Sequence, residues 1–263
     1  MNPLSFFTAC LREIRAGFRL LQVLALIAGG IAIVRVLFPV WSAPTRRRVK
    51  QAWAARLVSA LGVRINAIGS ACVSGLAVSN HISWLDVFVI NAITPTTFVC
   101  KDDVRGWPAI GWLVEHTGTL FIARGSRVAA AHSAEAMAAR LQAGERVALF
   151  PEGTTTGGEQ LLPFRTALFE AAVSGQVGVQ AAAIRYVDAA GKSSRAPAYD
   201  GDISFVQSLL TIARSSGLRA EIRHLPPQPA GLARREYCQR SETQIAQALG
   251  TTATQPRPDA LAA

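Results

Sequence analysis

Residues 20–34 are almost unbroken Leu, Ile, Val, Ala and Gly, and the apolar character continues to Trp41 across Arg35 and Pro39. As a helix, the stretch 20–41 would measure about 33 Å, against a hydrocarbon core of about 30 Å. Gln22, Gly29, Gly30, Arg35 and Pro39 interrupt it. A membrane-spanning helix and a helical hairpin lying in one leaflet therefore both fit the pattern. Past residue 50 short apolar runs alternate with longer segments of helical period. Residues 53–61 read as helix, 63–68 and 73–78 as strands, 87–90 as buried helix and 96–100 as strand. Helix at 109–116, strand at 119–122 and an Ala-rich helix at 127–141 ended by Gly144 come next, then strand 146–150, helix 164–173 and strand 177–184. Residues 194–202 read as a loop, 218–225 as a late strand, and 232–249 as a surface helix after the break Pro226-Pro227-Gln228-Pro229. From residue 251 the chain is Thr, Pro and Ala with little to pack, and disorder is expected. The pattern divides the chain into an anchoring segment (1–50), a sheet domain (51–250) and a tail (251–263), with a mainly parallel sheet covered on both faces.

Composition narrows the partners. Half of the 263 residues are apolar, enough for a large core, and the net charge is +10 with a pI near 10.5. Such a balance calls for an anionic partner: nucleic acid, anionic lipid or a phosphate-bearing substrate. No helix-turn-helix, zinc-finger or RNA-binding sheet motif is present, which favours lipid over nucleic acid. Arg12, Arg15 and Arg19 precede the apolar run and Arg46, Arg47, Arg48 and Lys50 follow it. With both flanks cationic the positive-inside rule gives no orientation. The cluster at 46–48 reads as a contact for anionic headgroups or as a solvated face. A signal peptide is disfavoured, because Ser42-Ala43-Pro44 places Pro at the cleavage site. Cys10, Cys72, Cys100 and Cys238 form no Cys-x-x-Cys pair, so they read as buried structural thiols in a reduced compartment.

Candidate chemistry lies in three places. The run Asn80-His81-Ile82-Ser83-Trp84-Leu85-Asp86 sets an imidazole and a carboxylate where a strand-to-helix turn brings them together, as a general base and its orienter, or as a core histidine beside a capping Asp. The run Gly118-Thr119-Leu120-Phe121-Ile122-Ala123-Arg124-Gly125-Ser126-Arg127 has an apolar strand delivering Arg124 to a loop. Phe150-Pro151-Glu152-Gly153-Thr154-Thr155 does the same with Glu152. Arg124 suits a phosphate because a guanidinium binds oxyanions bidentately, and Arg127 or Lys101 would add charge; surface cations on a basic protein are the plain alternative. The backbone N–H groups of Gly153 and Thr154 are candidate oxyanion donors. No Gly-x-Ser-x-Gly elbow occurs, and Ser83 reads as a helix cap rather than a nucleophile. His116 reads as core, and His132 and His224 have no catalytic context. A metal held by His81, Asp86 and Glu152 lacks a second histidine at ligand spacing.

From about Ser79 to Tyr186 the order His-x-x-x-x-Asp, Gly-x-x-Phe-Ile-x-Arg, Phe-Pro-Glu-Gly-Thr resembles the PlsC-type 1-acylglycerol-3-phosphate acyltransferases, a glycerolipid acyltransferase family. The resemblance implies an α/β fold with a mainly parallel, partly mixed sheet covered by helices and an apolar, membrane-anchoring amino-terminal helical segment. It implies transfer of a fatty acyl chain from acyl-CoA or acyl-carrier protein to the free hydroxyl of lysophosphatidic acid, giving phosphatidic acid. His81 and Asp86 would be the base pair, with no acyl-enzyme, no metal and no cofactor. Lys101, Arg124, Gly125, Glu152, Gly153 and Thr154 would bind substrate. The implied place is the cytoplasmic membrane with the site facing the cytoplasm, in contact with anionic lipids and with no nucleic acid. Three positions depart from the family pattern: Thr155 stands for an Arg, Ala181 for a Pro, and Phe164-Arg165-Thr166-Ala167 for a Phe-Lys-x-Gly stretch. The missing Arg bears on the headgroup more than on the chemistry, so a lyso-ornithine-lipid acyltransferase is the alternative within the class. A non-enzymatic anionic-lipid binder and a metal-dependent hydrolase are the alternatives outside it.

Overall fold

The computed structural model describes residues 3–106, 109–122 and 127–251. Seven strands form one sheet: β1 (Arg64–Ile68), β2 (Gly75–Ser79), β3 (Thr97–Lys101), β4 (Leu120–Ile122), β5 (Arg146–Leu149), β6 (Val179–Val187) and β7 (Arg219–His224). Their order is β1-β7-β6-β2-β5-β3-β4. All neighbours run parallel except β6 and β7, so the sheet is mainly parallel and mixed at one side. The central strands are buried on both faces, which is why they read as continuous apolar runs. Leu76, Val78, Val147 and Leu149 pack on one face beneath α5 (Arg127–Gln142), α6 (Glu170–Ser174) and α8 (Arg234–Leu249). On the other face the side chains are small: Ala77, Ala148 and Ala182 lie under Ile90 of α3 (Leu85–Ile93). Small residues there let α3 settle close over the middle of the sheet.

The amino-terminal segment is a single helix, α1 (Pro3–Val36), followed by a turn and α2 (Ala43–Ala60). A helix runs through Gly29 and Gly30 because Gly30 has a packing use. A Cβ there would lie 2.9 Å from Trp53 Nε1, and Trp53 donates to the Leu26 carbonyl at 2.8 Å. Arg19 ties α1 to the domain, donating to the carbonyls of Ala213 at 2.9 Å and Ser215 at 2.6 Å, at the end of α7 (Phe205–Arg214). Opposite this packed side, Phe7, Leu11, Ile14, Phe18, Leu21 and Leu24 are exposed. Residues Phe7–Val36 are long and apolar enough to cross a membrane, with a mean hydropathy of 2.0 and 17% of that window buried.

The sequence pattern differs from the structure in four elements. Helix α2 begins at Ala43, well before residue 53, with Pro44 in its first turn, where a missing N–H is harmless. It therefore runs across the expected boundary at residue 50 and belongs to both segments. The expected helix 164–173 is a 3-10 turn (Thr166–Phe169) leading into α6, because Arg165 N is drawn to the Pro151 carbonyl at 2.9 Å. Helix α7 was not expected, and α3 extends beyond 87–90 in both directions. The tail after residue 251 lies outside the described residues.

Candidate active site

Strand β2 ends at Ser79, and the chain turns through residues 80–84 into α3. The turn is held by side chains. Asn80, buried, donates to the Ile184 carbonyl at 2.9 Å and accepts from Ile184 N at 2.8 Å, copying a strand ladder. Asp86, in the first turn of α3, is fully buried. Its Oδ2 accepts from Ile82 N at 2.8 Å and Ser83 N at 2.9 Å, satisfying buried amides of the turn that leads into the helix. The same oxygen lies 2.9 Å from His81 Nδ1. That bond assigns the proton to Nδ1 and leaves Nε2 with a free lone pair. The imidazole stacks on Phe150, with centroids 3.8 Å apart and planes at 6°. Its tautomer and its plane are thus fixed. Ser83 is buried and its Oγ accepts from Leu85 N at 3.2 Å, but the residue at the helix start is Trp84, with no side-chain cap, so Ser83 is not the cap expected of it.

Glu152, expected at the acceptor, is held by backbone amides. It is buried, with Oε1 accepting from His81 N at 2.8 Å and Oε2 from Leu162 N at 2.9 Å. The carboxylate clamps the His81 backbone to the loop after β5, one amide on each oxygen. Burial pushes its pKa up to about 7 against the lowering effect of these two amides, and the Asp86 charge adds to the rise. Thr156 N completes the clamp on the His81 carbonyl at 2.9 Å.

His81 lines an apolar cavity of about 750 Å³ that runs between the sheet and α1, α2, α3 and α4 (Ile110–His116). Ile27, Val34, Phe38, Phe88, Val99 and Leu113 are among its walls. Residues of α7, Phe205 and Leu209, wall it too. Gly153, Thr154, Thr155, Arg165 and Tyr199 line it as well. Gly153 sits at φ 73, and a Cβ there would meet Arg165 Nε at 2.8 Å. Glycine is needed for both the backbone and the approach of the guanidinium. Gly153 N–H is spent on the Phe150 carbonyl at 3.0 Å, so it is not the free oxyanion donor expected of it. The Thr155 hydroxyl, where the family pattern has Arg, donates to the Tyr199 carbonyl.

Lys101 ends β3 in register with Ile122 at the end of β4. The backbone thus brings Lys101 to the same carboxyl edge of the sheet as the loop after β5. Arg124 and Gly125 lie outside the described residues. Two residues with roles at the site went unread in the sequence. Tyr186 of β6 donates its hydroxyl to Asp86 Oδ1 at 2.6 Å, and Arg165, noted only for its motif, stands at the cavity wall. His116 is exposed and stacked on Trp112 rather than core. His132 is exposed beside Glu135. The cysteines are free: Cys238 is buried but Cys10 is exposed, unlike the expected buried thiol. Burial pushes the Cys100 thiol up to about 11, which disfavours a thiolate nucleophile there. Among the described residues no three His, Cys, Asp or Glu side chains converge as a metal site.

Residues 71–185 match the family described as Acyltransferase. The lyso-ornithine lipid O-acyltransferase of Pseudomonas aeruginosa is 37% identical over 212 residues, covering 80% of this chain and 81% of that protein. The 1-acyl-sn-glycerol-3-phosphate acyltransferase of Neisseria gonorrhoeae is 40% identical over 124 residues, 47% of this chain and 49% of that one. The crystal structure of the 1-acyl-sn-glycerophosphate acyltransferase PlsC from Thermotoga maritima superposes with a TM-score of 0.63 over 91% of this chain and 96% of that one, at 17% identity. That likeness concerns the fold. The motif order, the buried His81–Asp86 pair and a relative aligned along most of its length together place this chain in the acyltransferase family, and it is an acyltransferase.

Proposed function

We propose that the protein is a membrane-bound O-acyltransferase that moves a fatty acyl chain from acyl-CoA or acyl-carrier protein to the free hydroxyl of lysophosphatidic acid, giving phosphatidic acid. The observation that carries this reading is the 2.9 Å bond from His81 Nδ1 to the buried Asp86, with the imidazole on the wall of an apolar cavity. Nε2 takes the proton of the lysolipid hydroxyl as its oxygen bonds to the thioester carbonyl carbon. Collapse of the tetrahedral intermediate breaks the C–S bond, and the imidazolium returns its proton to the departing thiolate. Asp86 holds the tautomer and stabilises the imidazolium. The cavity accommodates an acyl chain, and no step requires a metal or a cofactor. Thr154, at the cavity wall, faces the acceptor, and Arg165 with Lys101, Arg124 and Gly125 supplies the anion contacts. The exposed apolar stripe of α1 and the arginines at 46–48 suit a bilayer with anionic headgroups. A cytoplasmic-facing site suits soluble thioester donors.

Lyso-ornithine lipid is the second reading of the acceptor. Thr155 stands where the family pattern has a guanidinium, its hydroxyl is committed to Tyr199, and the Pseudomonas relative aligns over more of the chain than the Neisseria one. Purified full-length protein with labelled acyl-CoA and each acceptor in turn separates the readings. Labelled phosphatidic acid is the expected product; label only on lyso-ornithine lipid selects the second reading, and label on neither overturns both.

A further inference from the structure

The Asp86 carboxylate is held by more than the imidazole it orients. Oδ2 accepts from His81 Nδ1 and from the amides of Ile82 and Ser83. Oδ1 faces the other way and has one partner among the described residues, the Tyr186 hydroxyl at 2.6 Å. That length marks a charge-assisted bond. Tyr186 is buried in the layer with Leu85, Val89, Ile184 and Ala220, and its hydroxyl is its one polar atom. It does not line the cavity. Burial and the Asp86 charge both push the phenol's ionisation well above its usual range, so it remains a donor at every working pH. The same strand braces the start of the motif, because the Ile184 backbone holds Asn80.

Removing the phenol leaves a buried anionic oxygen without a partner. The carboxylate then has two escapes: to rotate, which carries Oδ2 away from His81, or to take up a proton. Either spoils the base. We propose that Tyr186 is a positioning residue of the reaction: its hydroxyl holds Asp86 Oδ1 and shares the carboxylate's charge, so that Oδ2 stays on the imidazole. A purely structural brace would tie β6 to α3 equally well, but it would not tune the base.

This inference rests on His81 as the base, and the test separates the two. Full-length wild type, Tyr186→Phe, a variant with 3,5-difluorotyrosine at position 186, and His81→Ala are assayed with acyl-CoA and lysophosphatidic acid or lyso-ornithine lipid, whichever the enzyme accepts. A carboxylate that has rotated or taken up a proton holds the imidazolium less firmly. Tyr186→Phe should therefore move the acid limb of the kcat/KM profile to lower pH and lower kcat about ten- to a hundredfold, with donor KM unchanged. The fluorinated phenol is a stronger donor of nearly the same shape, and should move that limb to lower pH. It decides the matter alone if Tyr186→Phe does not fold. An inactive His81→Ala with wild-type limbs in the Tyr186 variants makes Tyr186 a structural brace and overturns the inference. Undiminished turnover in His81→Ala overturns the base reading itself.

Discussion

Alanine at Gly153 tests whether the loop after β5 seats Arg165 at the cavity. The residue sits at φ 73, where an L side chain costs about 1–2 kcal/mol. Its new Cβ would lie 2.8 Å from Arg165 Nε, where ordinary contact begins at 3.4 Å, so the guanidinium has to retreat by more than half an ångström. Arg165 is exposed, so that retreat is cheap for the fold, and the stability loss is set by the backbone alone. Gly231→Ala is the matched control, with φ 93 and nothing within 4 Å of the added carbon. Both variants should lose about 1–2 kcal/mol in denaturant unfolding. Only Gly153→Ala should raise KM for the anionic acceptor, about tenfold, as a charged hydrogen bond is weakened. Arg165→Ala should raise the same KM, and the double variant no further, because the two changes act through one side chain. Equal acceptor KM in Gly153→Ala and Gly231→Ala, or additive effects in the double variant, would refute the reasoning.

Asp86→Asn removes a buried charge but turns an amide donor or a weaker acceptor towards His81. Turnover should fall about 10²- to 10³-fold with little change in melting temperature, by the loss of tautomer control, and by no more than the loss of His81 itself; a variant within tenfold of wild type would contradict the orienting role. A second expectation concerns acid stability. Burial and the Arg146 charge hold His224 down at about 4 in the fold, so as pH falls from 6.5 the unfolded chain takes up a proton that the folded one refuses. Stability therefore falls as pH drops through that window. Glu152, pushed up to about 7, acts in the opposite sense, since its contribution is largest at low pH and is lost as pH rises through 7. His224→Leu should therefore leave a protein that gains stability from pH 7 to 5, read by denaturant titration at each pH; an unchanged pH dependence would remove His224 from the account.

The strands around the site were legible because their burial on both faces leaves short apolar runs bounded by Gly and Pro. His81 and Asp86 were legible for a local reason: both lie in one turn. Glu152 was recognised as a carboxylate at a strand end, but its role depends on which amides surround it, and these come from residues 81 and 162. Tyr186 meets Asp86 only because β6 lies beside β2 in the sheet. Nothing in the spacing of a lone tyrosine announces that register. Helix α7 did leave a signal in Ser204 and Gln207, a capping box in which each side chain bonds the other's backbone. Helix α2 was masked by its arginines, whose charge reads as a solvated face while their backbone is helical.

The central claim is that a lysolipid hydroxyl attacks the thioester directly with His81 as base, and His81→Ala tests it most directly. Full-length wild type and variant are bound to vesicles of zwitterionic and anionic phospholipid and given labelled acyl-CoA with the accepted lysolipid. The account predicts equal vesicle binding and a loss of turnover on the order of a thousandfold. A His81→Ala enzyme that binds the same vesicles and still forms labelled product at the wild-type rate would contradict it.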